Sequence, residues 1–295
     1  MTEAERITRA LRGRWHGRYG LAMCPSHTNT RTPALSLTDG EEGRLLARCH
    51  AGCDFPSILD ALRGLGLVEG QGHYRPPSAA DLASIKAAEE AEAKKREAQA
   101  LALWREAVPI QGTPAEAYLR GRGITADLPD SLRFHPETWH GPSAMRWPAM
   151  VALVEGAKRL AVHRTYLRPD GQGKAAIDPA KMMLGATAGG AVRLSHGAGP
   201  LVVAEGIETA LSLASGLLRS PATIWAALSV PGISALHLPA SPHRLTIAAD
   251  GDTPGRSAGN KLAERATALG WAVSILPAPD GCDWNDILTM KGASA

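Results

Sequence analysis

The sequence contains no long apolar segment. No run reaches the roughly 18 to 20 apolar residues that a membrane-spanning helix requires. The first fifteen residues, MTEAERITRALRGRW, are charged throughout and lack the apolar core of a secretory signal. We therefore expect a cytoplasmic protein with no membrane partner.

Cysteine is also scarce, with four residues in a chain of 295. Three of them, Cys24, Cys49 and Cys53, fall within 30 residues of one another and lie close to histidines. In a cytosolic chain this grouping favours metal binding over a disulfide. The chain is long enough for two or three domains, and its 44% hydrophobic and 21% charged residues are typical of a folded protein.

The N-terminal cysteines form two short pairs. Cys24-Pro-Ser-His27 is followed after 21 residues by Cys49-His-Ala-Gly-Cys53. Two such knuckles can close one tetrahedral, structural Zn²⁺ site with no open coordination position. His50 competes with His27 as the fourth ligand, but we prefer His27 because Cys24-x-x-His27 makes a chelating pair. The alternative is that these residues are reduced, buried cysteines of an ordinary small domain.

Composition and periodicity predict an α/β multidomain chain. A stretch without Gly or Pro, rich in Ala, Glu and Lys, over residues 79–107 predicts a long helix. Beyond it, short strands such as Met150–Val154 and Leu160–Leu167 predict an α+β unit. We expect four regions: a zinc-binding domain over 1–75, a helical linker over 76–108, an α+β subdomain over 109–197 and a C-terminal domain over 198–295.

The C-terminal region alternates strands with helices. The predicted strands are Leu201–Ala204, Thr223–Leu228, Leu245–Ala249 and Trp271–Leu276. Helices are expected over Ile207–Leu218 and over Pro254–Leu269, the second with Thr253 at its N-cap. Alternation at this spacing predicts a parallel sheet built from βαβ units.

Acidic residues follow these strands. Glu205 comes directly after the first, Asp250-Gly-Asp252 after the third, and Asp283 and Asp286 after the last. Ligand sites in open parallel sheets form at the carboxyl ends of the strands, so these groups are expected to converge. Such hard oxygen ligands suit Mg²⁺ or Mn²⁺. Gly251 is expected to permit a tight turn between the two aspartates.

Charge is unevenly distributed along the chain. Residues 120–197 carry 11 basic and 6 acidic residues, whereas residues 198–295 carry 6 basic and 8 acidic residues. A basic middle beside an acidic end suits a protein that holds polyanions in one place and cations in another. Uneven surface charge without function is the alternative.

The C-terminal acidic residues lie in segments that resemble the Toprim domain. Those segments are LVVAEGIETALS (201–212), LTIAADGDTPGRSAGNKLAE (245–264) and DWNDIL (283–288). The Toprim domain occurs in bacterial-type DNA primases, topoisomerases and some nucleases. Its hallmark Glu and Asp-x-Asp correspond to Glu205, Asp250 and Asp252, and its third acidic patch corresponds to Asp283 and Asp286.

The rest of the chain is similar to the remaining parts of such primases. The Cys-His-Cys-Cys pattern resembles their N-terminal zinc ribbon, and the Cys49-x-x-x-Cys53 spacing resembles the phage and plasmid branch. YLRGRGI (118–124), SLRFHP (131–136) and residues 163–194 resemble the middle region of mobile-element primases. The resemblance therefore covers most of the chain, in primase order.

This resemblance implies RNA primer synthesis from ribonucleoside triphosphates on single-stranded DNA. Asp250, Asp252 and Asp283 would hold Mg²⁺ or Mn²⁺, with Glu205 as a further ligand or proton acceptor. Basic residues of the middle region would hold the template backbone or the triphosphate: Arg164, Arg168, Lys174 and Lys181. A replicative helicase would act from another polypeptide. The zinc ribbon would contact template bases, with Trp15, His16 or Tyr19 as stacking candidates.

Two other functions remain open at this point. A Toprim nuclease would use the same metals to cleave phosphodiesters, but the N-terminal zinc motif argues against it. A non-catalytic DNA-binding replication factor would carry a degenerate Toprim domain, but the intact acidic set argues against that.

Overall fold

The computed structural model describes residues 1–28, 32–40, 44–68 and 79–292. It divides the chain into two compact units, Met1–Leu82 and Ala83–Ala295. The predicted boundary between residues 75 and 76 lies outside the described residues. The α/β fold class is confirmed, with a small antiparallel sheet in the first unit and two five-stranded sheets in the second.

The first unit is a four-stranded antiparallel sheet flanked by two helices. Its elements are α1 (Glu3–Ala10), β1 (Arg14–Trp15), β2 (Gly20–Ala22), β3 (Leu35–Asp39), β4 (Leu45–Cys49) and α2 (Phe55–Gly64). Thr2 caps α1 and Asp54 caps α2 through their side-chain oxygens. Ile7, Ile58 and Leu62 of the helices pack on the sheet, which gives this small unit its core.

The second unit begins with the predicted long helix, α3 (Ala79–Glu106). Arg159 forms ion pairs with Glu90 and Glu97 of this helix. Ala100, Leu103 and Trp104 near the end of α3 pack against buried side chains of the following sheet. The C-terminal half of α3 is therefore a packed part of the second unit, not only a linker.

The middle of the chain forms a five-stranded antiparallel meander. Its elements are β5 (Val108–Pro109), α4 (Pro114–Gly121), β6 (Leu132–His140), β7 (Met145–Val154), β8 (Ala161–Tyr166) and β9 (Lys181–Leu184). The strands pair in sequence order. The predicted strand Met150–Val154 falls within β7, and the predicted strand Leu160–Leu167 covers β8 with one extra residue at each end.

The C-terminal sheet has the predicted parallel strands and one further strand at its edge. The strands are β10 (Val192–Ser195), β11 (Leu201–Ala204), β12 (Thr223–Ala226), β13 (Arg244–Ala248) and β14 (Ala272–Ile275). Their order is β10-β12-β11-β13-β14, and β10 pairs antiparallel with β12. β10 was not predicted, because four residues with one charge give too short a pattern to separate from a loop.

Four helices cover the two faces of this sheet: α5 (Ile207–Ser212), α6 (Val230–Ala235), α7 (Thr253–Ala268) and α8 (Trp284–Gly292). Side chains of β11 alternate between the faces. Leu201 and Val203 pack with α6 and α7, whereas Val202 and Ala204 pack with α5 and the middle region. Because both faces are buried, β11 is apolar throughout, as expected for a parallel strand.

Two details of the helices differ from expectation. Regular helix after β11 ends at Ser212, and an irregular turn over Leu213–Leu217 follows, in which Gly216 adopts a φ of 98°. The N-cap of α7 is Asp252 rather than Thr253, because the Asp252 carboxylate accepts the Gly255 amide proton at 2.7 Å. Across the described residues, no helix is both long enough and apolar enough to cross a bilayer.

Candidate metal sites and active site

The N-terminal cysteines and His27 converge on one point. Cys24 and His27 lie in the turn after β2, Cys49 ends β4, and Cys53 precedes α2. The Sγ and Nδ1 atoms of these four residues all lie within 4.8 Å of one another. His27 Nδ1 is 3.1 Å from Cys53 Sγ and 3.8 Å from Cys49 Sγ. Ligands of one tetrahedral zinc lie roughly 3.5 Å apart, so the four residues fit one Zn²⁺ ion.

The structure decides between the two candidate histidines. His27 belongs to the convergent group, whereas His50 is exposed and outside it. Burial, together with the neighbouring Cys49 and Cys24, raises the pKa of Cys53 to about 11. Three crowded thiols cannot all ionise without a cation, which is the condition a bound zinc ion relieves.

The register of the parallel strands brings the acidic residues to one edge. β11 and β13 are neighbours, with Ala204 opposite Ala248. Both strands therefore end together, and Glu205 and Asp250 leave the sheet side by side. Asp283 reaches the same edge through loop contacts: the Ala278 amide donates to Ala249 O at 2.9 Å, and the Gly251 amide donates to Cys282 O at 2.9 Å.

Gly251 has a different role from the predicted one. A Cβ atom at this position would lie 1.9 Å from the Pro279 carbonyl oxygen and 2.9 Å from that of Cys282. The loop that carries Asp283 therefore packs directly on the Gly251 backbone. Glycine is required here because two chain segments approach closely, and the sequence alone does not reveal that approach.

The carboxylates at this edge repel one another in a partly buried setting. Burial, followed by the charges of Glu205, Asp283 and Asp252, raises the pKa of Asp250 to about 7. Burial and Asp252 also raise the pKa of Glu205. Asp250 Oδ1 is buried and has no hydrogen-bond partner in the described part of the chain. An unsatisfied oxygen among converging carboxylates fits a divalent cation.

Helix caps hold three of the aspartates in place. Asp252 caps α7, and Asp283 Oδ1 accepts the amide protons of Asn285 and Asp286 at 2.7 and 2.9 Å. Asp286 Oδ2 accepts the Asp283 amide proton at 3.0 Å, which completes a reciprocal capping arrangement. Asp286 is not among the charges that raise the pKa of Asp250. The structure thus brings Glu205, Asp250, Asp252 and Asp283 together and gives Asp286 a capping contact.

The carboxylates at the acidic edge are spaced more widely than the ligands of the thiol site. Of the residues that the structure describes, only the four zinc-site residues bring three or more ligand atoms within 4.8 Å of one another. An open set of carboxylates suits Mg²⁺, which keeps several waters and binds substrate phosphates through its remaining positions.

A buried carboxylate that the sequence did not single out lies next to this site. Glu208, in the first turn of α5, is only 4% exposed. It accepts a hydrogen bond from Tyr118 Oη at 2.8 Å and pairs with Lys181 Nζ at 2.9 Å and Lys174 Nζ at 3.8 Å. In the sequence, Glu208 is indistinguishable from an ordinary acidic residue at a helix N-terminus.

The four predicted basic residues have different environments. Lys174 and Lys181 meet at Glu208. Arg164 is buried and donates to the carbonyl oxygens of Trp139 and Met183, a structural role within the sheet. Arg168 is exposed and pairs with Asp170. The structure thus brings together only two of the four.

A polar pocket of about 340 Å³ opens beside Lys174. It is lined by Tyr118, Gly121, Arg122, Gly171, Gln172, Gly173 and Lys174. Burial lowers the pKa of Lys174, while the charge of Glu208 acts in the opposite direction. A cationic pocket with a glycine-rich rim suits a phosphate-bearing ligand.

Aromatic and basic side chains share one face of the N-terminal sheet. The rings of His16 and Tyr19 stack at 5.0 Å between centroids. Tyr19, Leu46, Arg44 and Arg48 contribute to a groove of about 430 Å³. Trp15 packs instead against the core of the unit. Of the three predicted stacking candidates, Tyr19 thus lines the groove and His16 stacks on it.

Parallel strands with Glu205 after one and Asp250-Gly-Asp252 after its neighbour define the Toprim class of domain. Residues 200–294 match the family model described as Toprim domain, so this region is a Toprim domain and the predicted resemblance is confirmed. Residues 94–194 match the family described as Domain of unknown function (DUF7146).

Solved structures similar to this chain include primase domains. A DNA primase domain from Pseudomonas aeruginosa is 18% identical, with a TM-score of 0.41, over 66% of this chain and 75% of that one. The zinc-binding and RNA polymerase domains of Aquifex aeolicus primase are 13% identical, with a TM-score of 0.40, over 100% of this chain and 83% of that one. The RNA polymerase domain of Mycobacterium tuberculosis primase DnaG is 16% identical, with a TM-score of 0.38, over 68% of this chain and 80% of that one. No curated protein matches the sequence significantly.

Proposed function

We propose that this chain is a DNA primase that synthesises short RNA primers on single-stranded DNA, encoded by a phage, plasmid or other mobile element. The observation that carries the proposal is the convergence of Glu205, Asp250, Asp252 and Asp283 at the edge of a Toprim sheet, where the pKa of Asp250 is raised to about 7. Mutual repulsion at this edge costs folding free energy unless a cation is bound. A cluster of carboxylates with perturbed pKa values is a candidate site for binding metal and, through it, phosphate.

Different residues of the chain would have different roles in nucleotidyl transfer. Mg²⁺ or Mn²⁺ bound here would stabilise the attacking 3′-hydroxyl oxygen and the leaving phosphate oxygen. Asp250, Asp252 and Asp283 would hold the ions, and the helix caps on Asp252 and Asp283 would keep those carboxylates oriented. Glu205, whose pKa is raised by burial, would be a further ligand or accept the hydroxyl proton.

The cationic pocket beside Lys174 is proposed to hold the triphosphate or the template backbone. Lys174, Lys181 and Arg122 provide three positive charges against the one carboxylate of Glu208. The surplus positive charge lies in the same unit as the acidic site, which suits a substrate that carries both phosphate and bound metal. Arg168 and Arg164 are weaker candidates because one is paired with Asp170 and the other is buried in the sheet.

The zinc-binding unit is proposed to contact the single-stranded template. Tyr19 is 44% exposed beside Arg44 and Arg48, a combination that supports stacking of bases and neutralisation of phosphates. A replicative helicase is proposed to act in trans, in the cytoplasm. The same unit favours a primase over a Toprim nuclease, because cleavage of phosphodiesters gives no reason for an N-terminal thiol-ligated zinc site in the same chain.

A template-directed assay with labelled ribonucleotides tests the proposal. Wild-type protein should make oligoribonucleotides on single-stranded DNA only with Mg²⁺ or Mn²⁺. Asp250→Asn keeps the side-chain shape but removes a ligand charge, so synthesis should fall by roughly 10²-fold or more. Asp280→Asn is the matched control: its carboxylate is 92% exposed on the loop that carries Asp283, and synthesis should stay near the wild-type level.

The possible outcomes separate the rival functions. Metal-dependent cleavage without ribonucleotide incorporation would establish a nuclease. DNA binding that Asp250→Asn leaves intact, with no synthesis by wild-type protein on any template, would indicate a non-catalytic factor. Equal synthesis by wild-type and Asp250→Asn protein would refute the assigned site.

A further inference from the structure

Glu208 lies in the first turn of α5, three residues along the chain from Glu205. Its carboxylate is buried and contacts three side chains: Tyr118 at 2.8 Å, Lys181 at 2.9 Å and Lys174 at 3.8 Å. Burial by itself would raise the pKa of Glu208, but Lys181 and Lys174 outweigh it and hold the pKa well below its ordinary range. Glu208 is therefore a permanent anion at neutral pH.

Lys181 lies close to the segment that carries Glu205. It contacts Glu208 Oε2 at 2.9 Å, and that oxygen is 3.7 Å from the Cβ position of Gly206, the residue after Glu205. Its charge also opposes the effect of burial on the pKa values of Asp250 and Glu205. Among the residues that the structure describes, however, Lys181 has no carboxylate other than Glu208 within 4.0 Å. The lysine is near enough to influence the metal ligands but does not bind them.

The other titratable groups around Lys181 do not hold its ammonium group in place, so that role falls to Glu208. Lys174 repels Lys181 from one side, and each lysine lowers the pKa of the buried His163, which burial and Lys181 chiefly bring to about 4. His163 is therefore neutral at pH 7 and adds no charge. Apart from Glu208, the carboxylates on which the charge of Lys181 acts are those of Asp250 and Glu205. A lysine has a flexible four-carbon stem, so its ammonium group can move toward them.

We infer that Glu208 is a positioning residue that holds Lys181 away from the metal-binding carboxylates and so keeps their site open to a divalent cation. Tyr118 donates a hydrogen bond to Glu208 Oε1, whereas Lys181 contacts Glu208 Oε2, so the tyrosine fixes the orientation of the carboxylate. The inference rests on the metal site of the proposed function, and it assigns a role to two residues, Glu208 and Tyr118, that contact no proposed metal ligand.

Binding of Mn²⁺ to the zinc-loaded full chain, followed by electron paramagnetic resonance of the free ion, tests this role. Glu208→Gln retains the shape and can still accept the Tyr118 hydrogen bond, but it releases Lys181. The dissociation constant for Mn²⁺ should rise about tenfold, because an unpaired cation near the site both repels the metal and occupies its ligands. Lys181→Met alone should change it less than Glu208→Gln does, because Lys174 remains beside Glu208 and no released ammonium group competes for the site.

Two double variants distinguish positioning from general damage to a buried ion pair. Glu208→Gln with Lys181→Met should bind Mn²⁺ nearly as well as wild type, because the competing ammonium group is gone. Glu208→Gln with Lys174→Met restores the same net charge but leaves Lys181 in place, so its affinity should stay weak. Equal recovery in both double variants, or wild-type affinity in folded Glu208→Gln, would overturn the inference.

If Glu208→Gln does not fold, Glu208→Asp takes its place. The shorter carboxylate keeps the charge but cannot reach Lys181 as closely, so a smaller loss of Mn²⁺ affinity is expected, again reversed by Lys181→Met and not by Lys174→Met. Unchanged affinity would overturn the inference. None of these measurements depends on primer synthesis. A wild-type chain that binds Mn²⁺ but makes no primers refutes the proposed function alone.

Discussion

The Gly251 amide donates a hydrogen bond to the Cys282 carbonyl oxygen at 2.9 Å, and this contact joins the two halves of the acidic site. Gly251 lies between Asp250 and Asp252, and Cys282 immediately precedes Asp283. The return bond, from the Gly281 amide to Gly251 O at 3.2 Å, makes the connection two-sided. Asp283, which is 33 residues from Asp250 and 31 from Asp252, is thereby held at the same edge of the sheet.

Substitution of Gly251 should open this connection. In Gly251→Ala the new methyl group would meet the Pro279 carbonyl oxygen at 1.9 Å, so the loop carrying Asp283 must move. We expect a loss of about 1–3 kcal/mol of stability, typical of overpacking, and weaker Mn²⁺ binding. Thermal unfolding and Mn²⁺ titration measure the two effects. Gly64→Ala, where nothing lies within 4 Å of the new atom, is the control and should leave metal binding unchanged.

The raised pKa of Asp250 predicts a pH dependence for both metal binding and stability. Divalent metal affinity should fall as the pH drops through about 7, because Asp250 becomes protonated there. For the metal-free protein the sign is opposite. The unfolded carboxyl titrates near 3.8, so the folded state binds more protons between about 4 and 7, and stability should rise as the pH falls through that window.

Asp250→Asn should remove most of this dependence. At pH 8 the metal-free variant should be more stable than wild type by roughly 1–2 kcal/mol, a value reduced because the site is partly open to solvent. Chemical denaturation of the zinc-loaded protein at pH 5 and pH 8, without added Mg²⁺ or Mn²⁺, measures it. The assignment is contradicted if stability changes between pH 5 and pH 8 by the same amount in the wild-type protein and in Asp250→Asn, both without bound Mg²⁺ or Mn²⁺.

The zinc site predicts a fixed metal content. Elemental analysis should find about one zinc per chain, as one closed four-ligand site requires. Cys49→Ser should lose that zinc and unfold the first unit, while the Toprim domain keeps its fold. Cys282→Ser is the matched control, since Cys282 lies outside the convergent group and should retain full zinc. Zinc content that persists in both Cys24→Ser and Cys53→Ser would disprove the site.

Sequence patterns predicted the components of this protein but not how they meet. The Cys24-x-x-His27 and Cys49-x-x-x-Cys53 pairs indicated one zinc site, and the coordinates bring those four side chains together. The strands β11 and β13 were predicted to within one residue at either end, because buried parallel strands are short apolar runs ending at polar residues. β10 was missed because its place depends on pairing with β12, a contact that is distant in sequence.

At the acidic edge, likewise, some features could be predicted from the sequence and others depend on tertiary contacts. Residue type and position after a strand were enough to predict Glu205, Asp250, Asp252 and Asp283 as candidate ligands, because ligand sites in open parallel sheets form at the carboxyl ends of the strands. The capping role of Asp286, the burial of Arg164 and the ion pairs of Glu208 depend on contacts between residues distant in the chain. A charged residue has the same appearance in a sequence whether it faces solvent, a carbonyl group or another charge. The surroundings of each charged side chain are determined only by the packing of the Toprim sheet against the middle region. That packing therefore decides which of these charges remain available to a ligand.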